Sequence, residues 1–192
     1  PEMFALTVMA LDEKYQDFLG SAFHALELHA HFKGQFFTPY HLCKAMAGVT
    51  LDPDWVRSVI EAQGVFRMSE PCSGAGAMII AMAEWLKEQE IDFQNSLYVN
   101  AVDVDIRACH MTFIQLSIIG VPALVVHGNS LSMESWDQFY TPAYWMSTVP
   151  WKLRSLRESE ELNEALINKP SPAADVTLPE SQDAYGQLSI NF

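Results

Sequence analysis

Apolar residues recur along this chain in two rhythms. Between residues 12 and 30, Tyr15, Phe18, Leu19, Ala22, Phe23 and Leu26 return at helical spacing and predict an amphipathic helix ahead of the main fold. GQFFTPYHLCKAMAG (34–48) reads as a loop running into a helix, with Thr38 at the N-cap and Pro39 at the first helical position. DPDWVRSVIEAQG (52–64) predicts a second short helix, stopped by Gly64. The rhythm then alternates. Apolar runs at Val65–Ser69, Leu97–Val102 and Ala123–His127 predict buried strands, with helices at Ala75–Gln89 and Ile106–Ile119 between them. Such alternation means βαβ units and a parallel sheet. Past Asn129 the pattern breaks. Residues 136–151 carry six aromatics, a charged helix is expected at 150–167, and QLSINF near the end reads as a late strand.

Composition narrows the class. A chain of 192 residues with 49% hydrophobic and 11% aromatic content is long enough to bury a substantial core and is most simply one domain. Its 24 acidic and 11 basic residues leave a formal charge of −13. A protein that grips nucleic acid alone normally presents a basic face, because phosphate contacts supply most of the affinity. Any such grip here needs clustered bases or a partner protein. Cys43, Cys72 and Cys109 lack metal-ligand spacing and suit free thiols in a reducing cytoplasm; no metal site is expected. Residues 108–133 hold no Asp, Glu, Lys or Arg, yet His110, Gln115, Gly120, Pro122 and Asn129 interrupt the run. It reads as a buried helix, turn and strand, not a membrane span.

The candidate chemistry sits at predicted strand ends. In SEPCSGAG, Gly74 and Gly76 allow a tight turn and close approach to a ligand, and the helix that follows offers its first amides to a polar or anionic group. Glu70 could instead take a cationic amine. Two glycines alone carry little, since many strand-to-helix turns contain them. In NAVDVD, Asp103 stands at the tip of the next strand, placed to bind a ribose diol, while Asp105 suits a helix cap. In HGNSL, Asn129 ends the third strand, where an amide could meet an adenine edge. Three successive strand tips thus carry polar groups on one edge of the sheet.

In these motifs, over residues 30–131, the chain resembles the S-adenosylmethionine-dependent adenine-N6 DNA methyltransferases, especially the modification subunits of type I restriction systems. GQFFTP looks like their cofactor loop, EPCSGAG like their Asp/Glu-Pro-x-x-Gly-x-Gly motif, and AVDVD and GNSL like their ribose and adenine motifs, in the family's order. The resemblance implies a Rossmann-like α/β methyltransferase sheet, here truncated and preceded by N-terminal helices. It implies S-adenosylmethionine as cofactor. Phe37 and Thr38 would contact its methionine end, Glu70 would lie near its amino group, and Gly74 and Gly76 would line it. Asp103 would hold the ribose hydroxyls, Val104 would flank the adenine ring, and Asn129, where the family usually has Asp, would meet the adenine amino group.

One family motif is absent. Asn/Asp-Pro-Pro-Tyr/Phe supplies oxygens that accept the two hydrogens of the target amine and an aromatic that stacks on the flipped base. The nearest sequence is TPAY, so Thr141, Pro142 and Tyr144 are the catalytic candidates. The expected organisation is an N-terminal helical segment (1–33), a cofactor-binding domain (34–150), and a helix with a Pro/Ser/Asp-rich tail (151–192). Two functions compete: a cytoplasmic DNA adenine methyltransferase-like protein, meeting DNA through a partner, and a non-catalytic subunit working by protein docking, its acidic surface even mimicking DNA.

Overall fold

The structure is a computed structural model that describes residues 2–26 and 38–167. Phe37, the remainder of GQFFTP before Thr38, and QLSINF lie outside the described residues. Two helices open the fold, α1 (Glu2–Glu13) and α2 (Phe18–Ala25). The single helix expected over 12–30 is thus divided. Asp17 divides it by capping α2, its carboxylate accepting the Gly20 amide at 2.8 Å. Then come α3 (Tyr40–Thr50) and α4 (Pro53–Gln63). The α3 cap is Pro39 with no side-chain bond, one residue later than the expected Thr38. Asp52 caps α4 through the Trp55 amide, and Gly64 ends it at a φ of 76°.

The alternating part follows as β1 (Phe66–Glu70), α5 (Ala77–Glu88), α6 (Phe93–Ser96), β2 (Leu97–Asp103), α7 (Ile106–Ile119) and β3 (Ala123–Asn129). Beyond it lie β4 (Glu134–Tyr140), α8 (Pro142–Met146) and α9 (Val149–Ile167). The strands form one sheet in the order β1-β2-β3-β4, parallel through β3 and antiparallel at β4. This is the expected α/β architecture with N-terminal helices, and the reversed fourth strand is the addition.

The register explains the core. Phe66, Leu97, Val99, Ala101, Ala123 and Val125 point to one face and meet Ile79, Ile80, Leu86 and Leu116 of α5 and α7. Burying a side chain of this size stabilises by roughly 1.5–3 kcal/mol, so this face carries the fold. Small residues let a further helix approach: Cys43 of α3 packs against Ala77 and Ala81 of α5. Tyr40 also donates to Glu84 at 2.7 Å, fixing the start of α3. On the opposite face Tyr144 of α8 lies over Tyr98 and Tyr140. No helix among the described residues is long and apolar enough to cross a membrane.

Buried polar groups tie α2 to the rest. The carboxylate of Asp17, 4% exposed, also accepts Gln115 Nε2 of α7 at 2.9 Å. Burial raises its pKa above the ordinary aspartate value, against the lowering effect of Gln115 and the Gly20 amide. A raised carboxyl pKa means that folding penalises the charged form once the pH exceeds that pKa. Asp17→Asn should therefore raise the urea midpoint at pH 7. The gain should shrink as the pH falls through the raised pKa towards the unfolded value. A gain that grew on acidification would contradict this assignment.

Candidate functional site

The carboxyl ends of β1, β2 and β3 lie side by side, bringing Glu70, Asp103 and Asn129 to one edge. Asp103 is 8% exposed and is the hub. One of its oxygens accepts the Gly74 amide at 2.8 Å, and the other accepts the Asp105 amide at 2.9 Å. A carboxylate has about four lone-pair positions, so two are left over by these amides. Beside it Val104 is 60% exposed, and Asp105 caps α7 through the Arg107 amide. The Cys109 thiol donates to the carbonyls of Asp103 and Val126, and burial with the nearby Asp103 pushes it up to about 12. It stays a thiol at neutral pH.

The β1–α5 turn is built for tightness. Gly74 and Gly76 have φ of 56° and 96°, in the left-handed region. A Cβ on Gly76 would also stand 3.3 Å from Thr112 Oγ1. These dihedrals delay α5 to Ala77, two residues past the expected start. Backbone bonds close the loop, Ser73 N–H to the Val102 carbonyl at 2.9 Å and Gly76 N–H to the Ser73 carbonyl at 2.8 Å. The Ser73 hydroxyl is buried without a protein partner among the described residues. Glu70 is half-buried and accepts the Cys72 amide at 3.3 Å, which leaves most of its acceptor capacity. Thr38 is exposed, and its carbonyl receives the Cys43 thiol.

Asn129, at the end of β3, also shapes the chain that follows it. Its Oδ1 accepts the amides of Leu131 and Ser132 at 3.0 and 3.3 Å, forming the turn into β4. Both lone pairs are engaged, which leaves the NH2 group as a donor. The hairpin is tight here: a Cβ on Gly128 would stand 2.3 Å from the Glu134 carbonyl oxygen. His127 pairs with Asp137 at 3.1 Å and packs on Trp136 across the strands.

The structure does not bring the TPAY residues to this edge. Because β4 runs antiparallel to β3, it delivers Thr141 beside the start of β3. Thr141 is fully buried, donating to the Val121 carbonyl at 2.7 Å and accepting the Ala123 amide at 3.0 Å. Pro142 lines a cavity of about 310 Å³ with Gln94, Ser117 and Met146. Six residue-to-residue steps of extended chain from Ala123 to Asn129 make the separation about 20 Å. Sequence reasoning also missed Thr112 and Gln115, whose side chains donate to the carbonyls of Gly74 and Ala75 at 2.9 and 2.7 Å. Their signal was faint, since α7 also carries Arg107, His110 and Ser117; what sets Thr112 and Gln115 apart is that they are buried.

The family model described as N-6 DNA Methylase matches residues 14–184 of the chain. No curated protein matches it.

If Asp103 organises this edge, Asp103→Ala should lower unfolding stability by about 2–3 kcal/mol, the scale of hydrogen bonds to a charged group in a buried place. Urea denaturation measures it. A loss below about 0.5 kcal/mol, the range of ordinary surface substitutions, would contradict the hub role.

Proposed function

The chain belongs to the N-6 DNA methylase family, and from that premise we propose that it binds S-adenosylmethionine at the carboxyl edge of its sheet. Members of this family in general use that cofactor, which supplies an activated methyl group. The donor and acceptor set supports the reading. Glu70 offers a carboxylate to the cofactor's ammonium group, and Asp103 keeps two lone pairs for the ribose hydroxyls. Exposed Val104 gives the adenine ring an apolar edge, and Asn129 gives it a donor. Gly74, Gly76 and the unpartnered Ser73 hydroxyl line the turn, with Thr38, and Phe37 beside it in sequence, at the methionine end. The motifs GQFFTP and EPCSGAG favour the modification subunits of type I restriction systems within the family.

The observation that carries the second half of the proposal is the burial of Thr141 at the amino edge. The exocyclic nitrogen of adenine is a poor nucleophile, and transfer requires acceptors for its two hydrogens and a surface that holds the base. Thr141 already spends its hydroxyl on the Val121 carbonyl, and Tyr144 stacks on Tyr98 and Tyr140. The described residues are thus a cofactor-binding unit, and the groups that engage the target base come from outside them. The organisation proposed for the chain keeps the expected divisions at residues 33 and 150. A second reading, a non-catalytic subunit that docks to a protein, is favoured by exposed Trp145, Met146 and Trp151 on an acidic chain.

Calorimetric titration with S-adenosylmethionine tests the first half. Glu70→Gln should weaken binding about tenfold or more, the worth of a charge-assisted hydrogen bond. Tyr144→Ala should leave it unchanged. Loss of binding in Tyr144→Ala with an intact fold, or no effect of Glu70→Gln, would overturn the site. The chain alone should transfer no tritiated methyl group to duplex or single-stranded DNA, and robust incorporation would overturn the second half. At about 150 mM salt, binding to random duplex should be weaker than micromolar, because 11 basic residues face 24 acidic ones. A submicromolar gel-shift would contradict this.

A further inference from the structure

Gln115 does more than fill space under the glycine turn. It is fully buried, and its side-chain amide joins two segments far apart in sequence. Oε1 accepts the Leu19 amide at 3.0 Å, while Nε2 donates to Asp17 Oδ1 at 2.9 Å and to the Ala75 carbonyl at 2.7 Å. Both hydrogens of the NH2 group are used. The Asp17 oxygen that receives one of them also caps α2 through Gly20. Three residues earlier on α7, Thr112 Oγ1 donates to the Gly74 carbonyl at 2.9 Å. The carbonyls of Gly74 and Ala75 are thus oriented from α7, and the same side chain holds the start of α2.

The bonds from Gln115 to Asp17 and Ala75 are buried and those of Leu19 and Thr112 partly so, and a buried polar group cannot lose its partner without cost. A shift of the Ala75 carbonyl would strip Gln115 of an acceptor, and a departure of α2 would free both ends of the same amide. Each arrangement therefore favours the other, and coupling of this kind is reciprocal.

We propose that Gln115 is a positioning residue that couples the corner between α1 and α2 to the glycine turn, so that ligand binding at the turn and docking of the N-terminal helices stabilise each other. The identity of the ligand rests on the cofactor reading above; the coupling does not.

Amide exchange followed by NMR on the full chain, with and without S-adenosylmethionine, separates the two. The variants are Asp17→Ala, which removes the acceptor, Asp17→Asn, which keeps one, and Gln115→Leu, which removes the bridge at similar size. Asp17→Ala and Gln115→Leu should speed exchange of the Ser73, Gly74 and Gly76 amides about tenfold relative to the β2–β3 ladder, an ordinary size for coupling between sites. Asp17→Asn should hold the wild-type rate. Cofactor affinity should fall about tenfold in Asp17→Ala, and saturating cofactor should slow exchange across Phe18–Ala25 in the wild type and in Asp17→Asn but not in the two disrupting variants. Turn amides that exchange at wild-type rates in both disrupting variants would overturn the proposal. So would a rise no greater than that of the ladder, which is a general loss of stability. If the turn responds while the wild type binds no cofactor, the coupling stands and the cofactor reading fails.

Discussion

One carboxylate gathers the carboxyl edge of this sheet. Asp103 takes an amide from the β1–α5 turn with one oxygen and an amide from the entry to α7 with the other. Parallel strands leave their connecting loops to find partners of their own, because the ladder ends where the strands end. Here a side chain extends that order outward by one layer. With the Gly74 amide held, the left-handed glycines can deliver the first amides of α5 to the same edge, and Val104 is left exposed beside them. From the other side, Thr112 and Gln115 hold the carbonyls of the same turn. The turn is fixed on both its donor and its acceptor sides, which is the condition for a ligand to find it already in shape.

The hairpin after β3 sets the second constraint. A fourth parallel strand would have carried the following residues to the carboxyl edge. Instead Asn129 folds the chain back, Gly128 admits the returning backbone, and β4 runs the other way. Direction alone then decides where Thr141 and Tyr144 end up. They become part of the amino edge, where the hydroxyl closes the start of β3 and the ring completes an aromatic cluster. The sheet thus carries its polar strand tips and its Tyr98–Tyr140–Tyr144 cluster at opposite ends.

Much of this was legible in the sequence, for local reasons. Ile106–Ile119 was bounded correctly because Asp105 and Gly120 are strong start and stop signals. The glycine turn and the tips at Glu70, Asp103 and Asn129 were visible because polar residues ended apolar runs. The strands outlasted those runs by a residue or two, since ladder bonds do not require apolar side chains. The break at Asp17 was hidden, because the spacing from Tyr15 to Leu26 continues across it. A short, half-polar strand through WDQFY was legible, but its direction was hidden: ESWDQFY is mostly exposed and shows no clean alternation, and its antiparallel pairing is imposed by the turn and the bulge at His127 and Gly128. Long-range partners such as Gln115 with Asp17 leave no local pattern at all.

The proposed cofactor site distinguishes the carboxyl edge of the sheet from the amino edge. The most direct measurement is an amide chemical-shift titration of the chain with S-adenosylhomocysteine, which keeps the nucleoside and the amino acid. The account predicts changes concentrated in residues 70–77, 103–106 and 128–131, with 141–146 unmoved. Changes concentrated in 141–146, with Gly74, Gly76 and Val104 silent at saturation, would contradict it.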